Sequence, residues 1–319
     1  MPKARQNPFR KIYDAEEFIT ILRHKDKLPG FPYLVDVELT NNCNLRCIFC
    51  TQRVMKRERG FMSENNFKKV IDECAEHGTP VRFIRLGEPF LHPKIIDFIK
   101  YVKSKGLPLH ITNNGLAIKK EQIKSLIELQ VDSITFSFQG ATKAEYEIMR
   151  CNRRYGQLKA NIIEMARLRG KRDKPFIHIS STMTDETEKE IKKFVDYWKK
   201  IADSVGTGKT NLSQFTVGQI KSFENLDKLE FLRKQETVKK AYRPCTEVYQ
   251  KLSVDWDGKV TCCCGDFDNF LEVGDLSKAS LSGIWNSSKR LKLIREMLDK
   301  NMHKTLTFCS TCYHPYEKF

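Results

Sequence analysis

The chain has 319 residues, 40% of them hydrophobic, enough to bury a core and to exclude a disordered or fibrous protein. Lysine and arginine number 56 against 40 aspartates and glutamates, and the net charge of +16 suits an acidic partner such as a phosphorylated small molecule or nucleic acid. No run of 18 apolar residues and no basic–apolar–small leader occurs, so no membrane span is expected and the cytoplasm is the default location.

Residues 1–32 read as a polar lead-in with a short helix at 14–23, stopped by Pro29-Gly30 and Pro32. From Tyr33 onward, strand and helix patterns alternate. Strands are expected at 33–39, 81–86, 107–112, 133–138, 176–183 and 212–217. A first helix follows Ser63, a good N-cap, with Phe67, Val70, Ile71 and Cys74 on one face, which makes Cys74 a core residue. Further helices are expected at 95–104, 121–129, 143–168 in one or two pieces, and 186–201, where Ile191, Phe194, Val195 and Trp198 share a face. Six strand–helix repeats predict an α/β fold with a parallel sheet and right-handed crossovers, a partial (β/α)6 barrel over 33–217. Such sheets place their chemistry in the loops after the strands.

Gly206-Thr207-Gly208-Lys209-Thr210 echoes a phosphate-binding loop, but the pattern requires glycine where Asp203 stands, and a solvent turn before the sixth strand is expected instead. Lysine pairs such as Lys119-Lys120, Lys192-Lys193 and Lys199-Lys200 fall on helices and read as solvated faces, which argues against a nucleic-acid stripe. Residues 218–242 are charged and poorly periodic, a linker or bridging helix. Residues 243–319 form a second, smaller unit, with a hairpin at 251–254 and 259–261 turning on Asp257-Gly258, and an amphipathic helix at 281–298.

Eleven cysteines, an odd number with three adjacent at Cys262, Cys263 and Cys264, suit metal ligation better than disulfides. Cys43, Cys47 and Cys50 follow the first strand at C-x3-C-x2-C spacing. Three thiolates fill three corners of an iron–sulfur cube and leave the fourth iron open for chemistry. The alternatives are a zinc site, which normally takes paired C-x2-C units, and a set of buried thiols.

The cysteine triad, the β/α alternation and the loops after the strands resemble the radical S-adenosylmethionine (SAM) superfamily over about residues 33–217. That resemblance implies that Cys43, Cys47 and Cys50 hold a [4Fe-4S] cluster whose open iron is chelated by the amino and carboxylate groups of SAM. Reductive cleavage of SAM then gives a 5′-deoxyadenosyl radical that takes a hydrogen from the substrate, and a flavodoxin- or ferredoxin-type protein is the implied electron donor. Leu86-Gly87-Glu88-Pro89 matches the family's Gly-Gly-Glu-Pro motif with Leu86 in place of the first glycine, and places Gly87 and Glu88 against the SAM amino group. Phe49 matches the aromatic residue near adenine, and Ser137 and Arg150 the contacts to ribose and carboxylate. Thr112-Asn113-Asn114-Gly115 matches the family's Thr-Asn-Gly turn, with Asn113 as a SAM contact, although an Asn-Gly turn without a ligand reads equally well.

The C-terminal unit is similar to the SPASM and twitch extensions of the same superfamily. The similarity implies an auxiliary [4Fe-4S] cluster on Cys245, Cys263, Cys309 and Cys312, with zinc as the alternative. Six cysteines beyond residue 244 are too few for two auxiliary clusters, so the single-cluster twitch layout is expected, with Cys262 to Cys264 distinguished only by spacing. Cys262 or Cys264, with Cys151 as a third candidate, would then be free to return a hydrogen atom to the substrate, as in related epimerases; a spare buried cysteine is the alternative. The expected substrate is an amino-sugar, aminocyclitol or nucleotide-sugar, undergoing epimerisation or oxidation. A ribosomally made peptide is the alternative, although such maturases often carry an N-terminal recognition domain and about 32 residues precede the first strand here.

Overall fold

Along the first strand, β1 (Leu34–Val37), apolar and acidic side chains alternate, and this sets the plan of the molecule. Val35 and Val37 join the hydrophobic core, while Asp36 and, just beyond the strand, Glu38 are buried among basic partners on the opposite face. The computed structural model describes residues 5–10, 28–210, 212 and 245–312. The helix expected at 14–23, the linker at 218–242, and all but Leu212 of the strand expected at 212–217 lie outside those residues.

Six parallel strands form the barrel wall: β1, β2 (Val81–Phe83), β3 (Leu109–Asn113), β4 (Ser133–Gln139), β5 (Phe176–Met183) and β6 (Ser204–Lys209). The sixth strand corrects the sequence reading. The Gly206–Lys209 stretch expected to turn in solvent is the edge strand itself, paired from His178↔Ser204 to Met183↔Lys209. The free edge of β5 supplies a full parallel ladder, and that pairing overrides the low strand propensity of two glycines and a lysine. Gly206 also leaves room for the His178 ring, since a Cβ there would stand 3.1 Å from it.

The C-terminal strands do not form a separate sheet. β7 (Lys251–Val254) runs parallel beside β1 in the register Leu34↔Lys251 to Val37↔Val254, and β8 (Lys259–Thr261) and β9 (Glu272–Asp275) follow antiparallel. One nine-stranded sheet in the order β6-β5-β4-β3-β2-β1-β7-β8-β9 therefore joins the barrel to the cysteine-rich unit.

Helices α1 (Glu64–Glu76), α2 (Ile95–Ser104), α3 (Lys120–Glu128), α4 (Lys143–Arg150), α5 (Tyr155–Arg169) and α6 (Glu188–Trp198) cover the apolar face of the barrel. Ser63 caps α1 by accepting from Asn66 N, and Phe67, Val70, Ile71 and Cys74 are all buried as their spacing predicts. Phe67 stacks on Phe98 of α2 at 3.8 Å between ring centres, a contact whose loss to alanine costs about 3–5 kcal/mol. The helix expected over 143–168 breaks into α4 and α5 because Cys151 takes a left-handed backbone, φ 51°. The C-terminal helix also divides, at Ser288, into α7 (Leu281–Ser287) and α8 (Lys289–Asp299).

The face of the sheet turned from the helices is polar. Arg82 pairs with Asp36 at 2.6 Å, Lys251 adds a second cation at 3.4 Å, and His110 and His178 each meet a serine hydroxyl at 2.6 Å. Burial alone would raise the Asp36 carboxyl, but Arg82 and Lys251 outweigh it and hold the group well below the usual range.

Candidate functional site

All nine residues singled out for the first cluster and SAM (Cys43, Cys47, Phe49, Cys50, Gly87, Glu88, Asn113, Ser137 and Arg150) line one cavity of about 600 Å3 at the C-terminal ends of the parallel strands. The loop after β1 brings the three cysteines there, none of them in a disulfide. Burial pushes the Cys43 thiol up to about 12 and the Cys50 thiol up to about 11, the latter helped by the neighbouring Cys47 charge. Thiols so buried become thiolates when a bound cation supplies the charge they lack. Among the described residues no three His, Cys, Asp or Glu side chains converge as a single metal ion requires. A cube makes no such demand, since it holds each cysteine on its own iron.

The loop after β2 reaches the cysteine loop through Gly87, whose φ is +81°. A Cβ there would lie 2.2 Å from the Thr40 carbonyl oxygen, so only glycine allows the approach. Glu88 donates its backbone N–H to Asn42 O at 2.8 Å, and its buried carboxylate accepts from Asn114 N at 2.7 Å and Phe90 N at 3.1 Å. Burial, opposed by those two N–H groups and by Arg150, raises this carboxyl to about 7. Arg150, at the end of α4, holds its guanidinium 5.4 Å from the Phe49 ring centre and donates to Phe138 O at 3.0 Å. Its Nη1 lies 3.7 Å from Cys47 Sγ, and its Nε is buried without a hydrogen-bond partner in the protein. An orphaned guanidinium N–H in the cavity wall suits a carboxylate ligand.

Of the two asparagines at the end of β3, the sequence pointed to Asn113, whose amide is spent on the neighbouring strand and the turn, donating to Thr135 O of β4 at 3.0 Å and accepting from Gly115 N at 2.7 Å. Asn114 is the one that reaches the cysteines, donating to Asn44 Oδ1 at 2.7 Å with Cys43 Sγ at 3.7 Å. No spacing rule separates two adjacent asparagines, so the sequence reading missed it.

The second group of cysteines lies in the C-terminal unit. Cys245 precedes a 3-10 turn (Glu247–Tyr249) that Arg295 of α8 pins, donating to Val248 O at 2.9 Å and covering the Trp285 ring at 4.3 Å. Cys309 and Cys312 bracket another such turn, with Cys312 N donating to Cys309 O at 3.1 Å. Burial lifts the Cys263 thiol well above its ordinary range, and the charges of Cys264, Cys245, Glu247 and Cys312 add to the shift. Cys245 responds in turn to burial and to the charges of Glu247, Cys312 and Cys309, and Cys309 responds to Cys312. Cys262, just past β8, is fully buried in the core with its Sγ 3.8 Å from Leu271 O, and the charge of Cys309 adds to the burial that raises its thiol. Cys264 sits between Lys251 Nζ at 3.3 Å and Glu247 Oε2 at 3.6 Å. Neither lines the SAM-side cavity, and Cys151 lies exposed outside it. Cys262, one residue past β8, is fully buried in the core, away from the cavity where a substrate was expected to meet it.

Arg85, unremarked in the sequence, joins the two regions. Its backbone lines the cavity with φ +94°, a conformation that costs a non-glycine residue on the order of 1–3 kcal/mol, while its fully buried side chain runs into the C-terminal unit.

Known proteins agree with this arrangement. The Radical SAM superfamily model matches residues 37–197, and a model of the SPASM iron-sulfur cluster-binding domain matches residues 245–313. The chain belongs to the radical SAM superfamily and carries a C-terminal SPASM domain. It is 25% identical over 312 residues, spanning 86% of each chain, to the tungsten-containing aldehyde ferredoxin oxidoreductase cofactor-modifying protein of Pyrococcus furiosus. Its fold is similar to that of BtrN solved with AdoMet and 2-DOIA, with a TM-score of 0.56 at 16% identity over 88% of this chain and 93% of that one. It is also similar to Streptococcus suis SuiB solved with the precursor peptide SuiA, with a TM-score of 0.67 at 15% identity over 91% of this chain and 72% of that one. Membership implies a SAM-binding [4Fe-4S] cluster and an auxiliary iron–sulfur cluster. The buried thiols, the Gly87 cradle and the orphaned Arg150 N–H fit them. Among the described residues no helix is long and apolar enough to cross a membrane.

Proposed function

We propose that the protein uses a SAM-derived radical to oxidise a carbon of a small, anionic, carbohydrate-type substrate: an amino-sugar, aminocyclitol or nucleotide-sugar. The cluster on Cys43, Cys47 and Cys50, when bound, supplies the electron that cleaves SAM to the 5′-deoxyadenosyl radical. Glu88 offers a carboxylate that accepts from the N–H of the SAM amino group, Arg150 a guanidinium to its carboxylate, and Ser137 and Phe49 flank the nucleoside. Cys245, Cys263, Cys309 and Cys312 would hold a single auxiliary cluster, which would accept the second electron of the oxidation as the substrate radical loses a proton to solvent, and a flavodoxin- or ferredoxin-type protein supplies the electron that starts each turnover.

The observation that supports the substrate class is the charge of the cavity wall. Arg46, Arg53 and Arg59 line it beyond Arg150, and Glu88 is the sole Asp or Glu among its lining residues. Such a wall favours an anionic, hydrogen-bonding substrate over an apolar one. Oxidation is preferred over epimerisation because Cys262 and Cys264 both lie outside that wall. A peptide substrate is the second reading, favoured by the likeness to SuiB, whose solved complex holds a precursor peptide.

The test is turnover of candidate sugars and peptides by the reconstituted enzyme in deuterated water, following 5′-deoxyadenosine and product mass. Two-electron oxidation of a sugar without deuterium uptake is expected. Deuterium fixed at an inverted carbon would establish epimerisation and return Cys264 as the hydrogen donor. Turnover of peptides alone would overturn the substrate class.

A further inference from the structure

We infer that Arg85 is a positioning residue that couples the SAM loop to the auxiliary cysteine loop, so that filling either site strengthens binding at the other. Its main chain immediately precedes Leu86-Gly87-Glu88, and its left-handed backbone aims that motif at the cysteine triad. Its guanidinium points the opposite way. Nη1 donates to Thr261 Oγ1 at 2.8 Å and to Cys263 O at 3.0 Å, and Nη2 donates to Asp266 O at 2.7 Å with Asp255 Oδ1 at 2.8 Å. One side chain thus fixes both flanks of the turn that bears Cys263.

A second arginine closes the same clamp. Arg57 reaches Glu38 at 2.9 Å and Asp255 at 2.8 Å, and donates from Nε to Phe267 O at 2.8 Å. The backbone N–H groups of Lys56 and Arg57 both donate to Asp268 Oδ1. The 261–268 loop is therefore held by groups of the radical SAM part, and Arg85 alone of these two arginines lines the SAM cavity. A loop disordered for want of its cluster releases three of the four contacts of Arg85, those to Thr261, Cys263 and Asp266, and with them much of the force that keeps its backbone left-handed. Gly87 and Glu88 then lose their approach to the cysteine loop. Such coupling is reciprocal by thermodynamic necessity.

The inference rests on Cys263, Cys309 and their partners as auxiliary ligands, and iron content tests that assignment separately. SAM affinity is measured on four reconstituted proteins: wild type, Cys309→Ala, the charge-balanced pair Arg85→Gln with Asp255→Asn, and the triple variant. Cys309→Ala is expected to weaken SAM binding about fivefold or more when Arg85 is present and less than about twofold in the paired background. SAM is also expected to perturb the electron paramagnetic resonance spectrum of the reduced auxiliary cluster in wild type and not in the pair. If the pair does not fold, Arg85→Lys replaces it, since lysine keeps the charge but lacks the planar fork. Equal effects of Cys309→Ala in both backgrounds, or none in either, would overturn the coupling. Cys309→Ala protein that keeps all its iron would overturn the ligand assignment and the inference with it.

Discussion

The Glu88 carboxylate accepts the backbone N–H of Asn114 at 2.7 Å, and the Asn114 side chain then reaches Asn44 at 2.7 Å and lies 3.7 Å from the Cys43 sulfur. A carboxylate from the loop after β2 thus orders the loop after β3, which in turn braces the cysteine loop after β1. Asn114→Ala keeps the backbone link but removes the brace, along with the Asn114 Oδ1 acceptor for Leu116 N. Loss of these bonds is expected to cost about 1–3 kcal/mol of local stability and to lower iron uptake at the first cluster during reconstitution. Iron per chain and the thermal midpoint report both effects. Uptake equal to wild type would show that Cys43 holds its position unaided.

The raised Glu88 carboxyl gives the site a defined pH dependence. From the ordinary value of 4.5 to about 7, the folded protein keeps a proton that the unfolded chain has released. Its stabilising contribution is therefore full below 4.5 and declines as pH rises to about 7, by on the order of 3 kcal/mol at most. SAM binding is expected to run the other way, because the N–H of its amino group donates more strongly to the ionised carboxylate. Affinity should climb by up to about tenfold per unit as pH approaches 7 and then level off. Glu88→Gln should flatten that profile as well as lower affinity; an unchanged slope in the variant would assign the dependence to another group.

Gly87 is expected to tolerate no side chain. Its φ of +81° and the 2.2 Å approach of a Cβ to Thr40 O leave no relaxation except withdrawal of the whole loop. Gly87→Ala should abolish detectable SAM binding while the barrel stays folded, as seen by circular dichroism. Gly78, also at positive φ but with nothing within 4 Å of its Cβ position, is the control: Gly78→Ala should cost about 1 kcal/mol of stability and leave SAM binding intact.

Elements with strong periodicity were legible in the sequence. β5 and α2 fall where the pattern puts them, and α1 begins at its serine cap, because in each case local preference and burial agree. The stretch that forms β6 was read as a turn because its residues gain their extended form from the β5 edge, a tertiary cause that composition does not encode. The SAM-side residues were readable because they lie in short motifs at strand ends. Arg85, Arg57 and Asp255 were not, since their importance comes from ion pairs that span long sequence separations and one sheet edge. The full burial of Cys262 was not readable either, since it depends on core packing around the turn after β8.

The two cysteine groups predict an iron inventory. Two cubes bring about eight irons to each chain, four on each group. Cys245 and Cys309 stand at opposite ends of the C-terminal unit in sequence, and in the proposed ligand set both hold the auxiliary cluster, so removing either is expected to open it. Cys309→Ala and Cys245→Ala are each expected to fall to about four irons and to keep the spectrum of the SAM-binding cluster. Cys262→Ser should keep about eight, because Cys263 is the proposed ligand and the Cys262 sulfur lies buried 3.8 Å from Leu271 O. It should lose stability instead, by about 1–3 kcal/mol, for placing a hydroxyl in an apolar core. Wild-type protein with about four irons and one equivalent of zinc would reassign the C-terminal group to zinc, and Cys262→Ser protein with a depleted auxiliary cluster would move the ligand from Cys263 to Cys262.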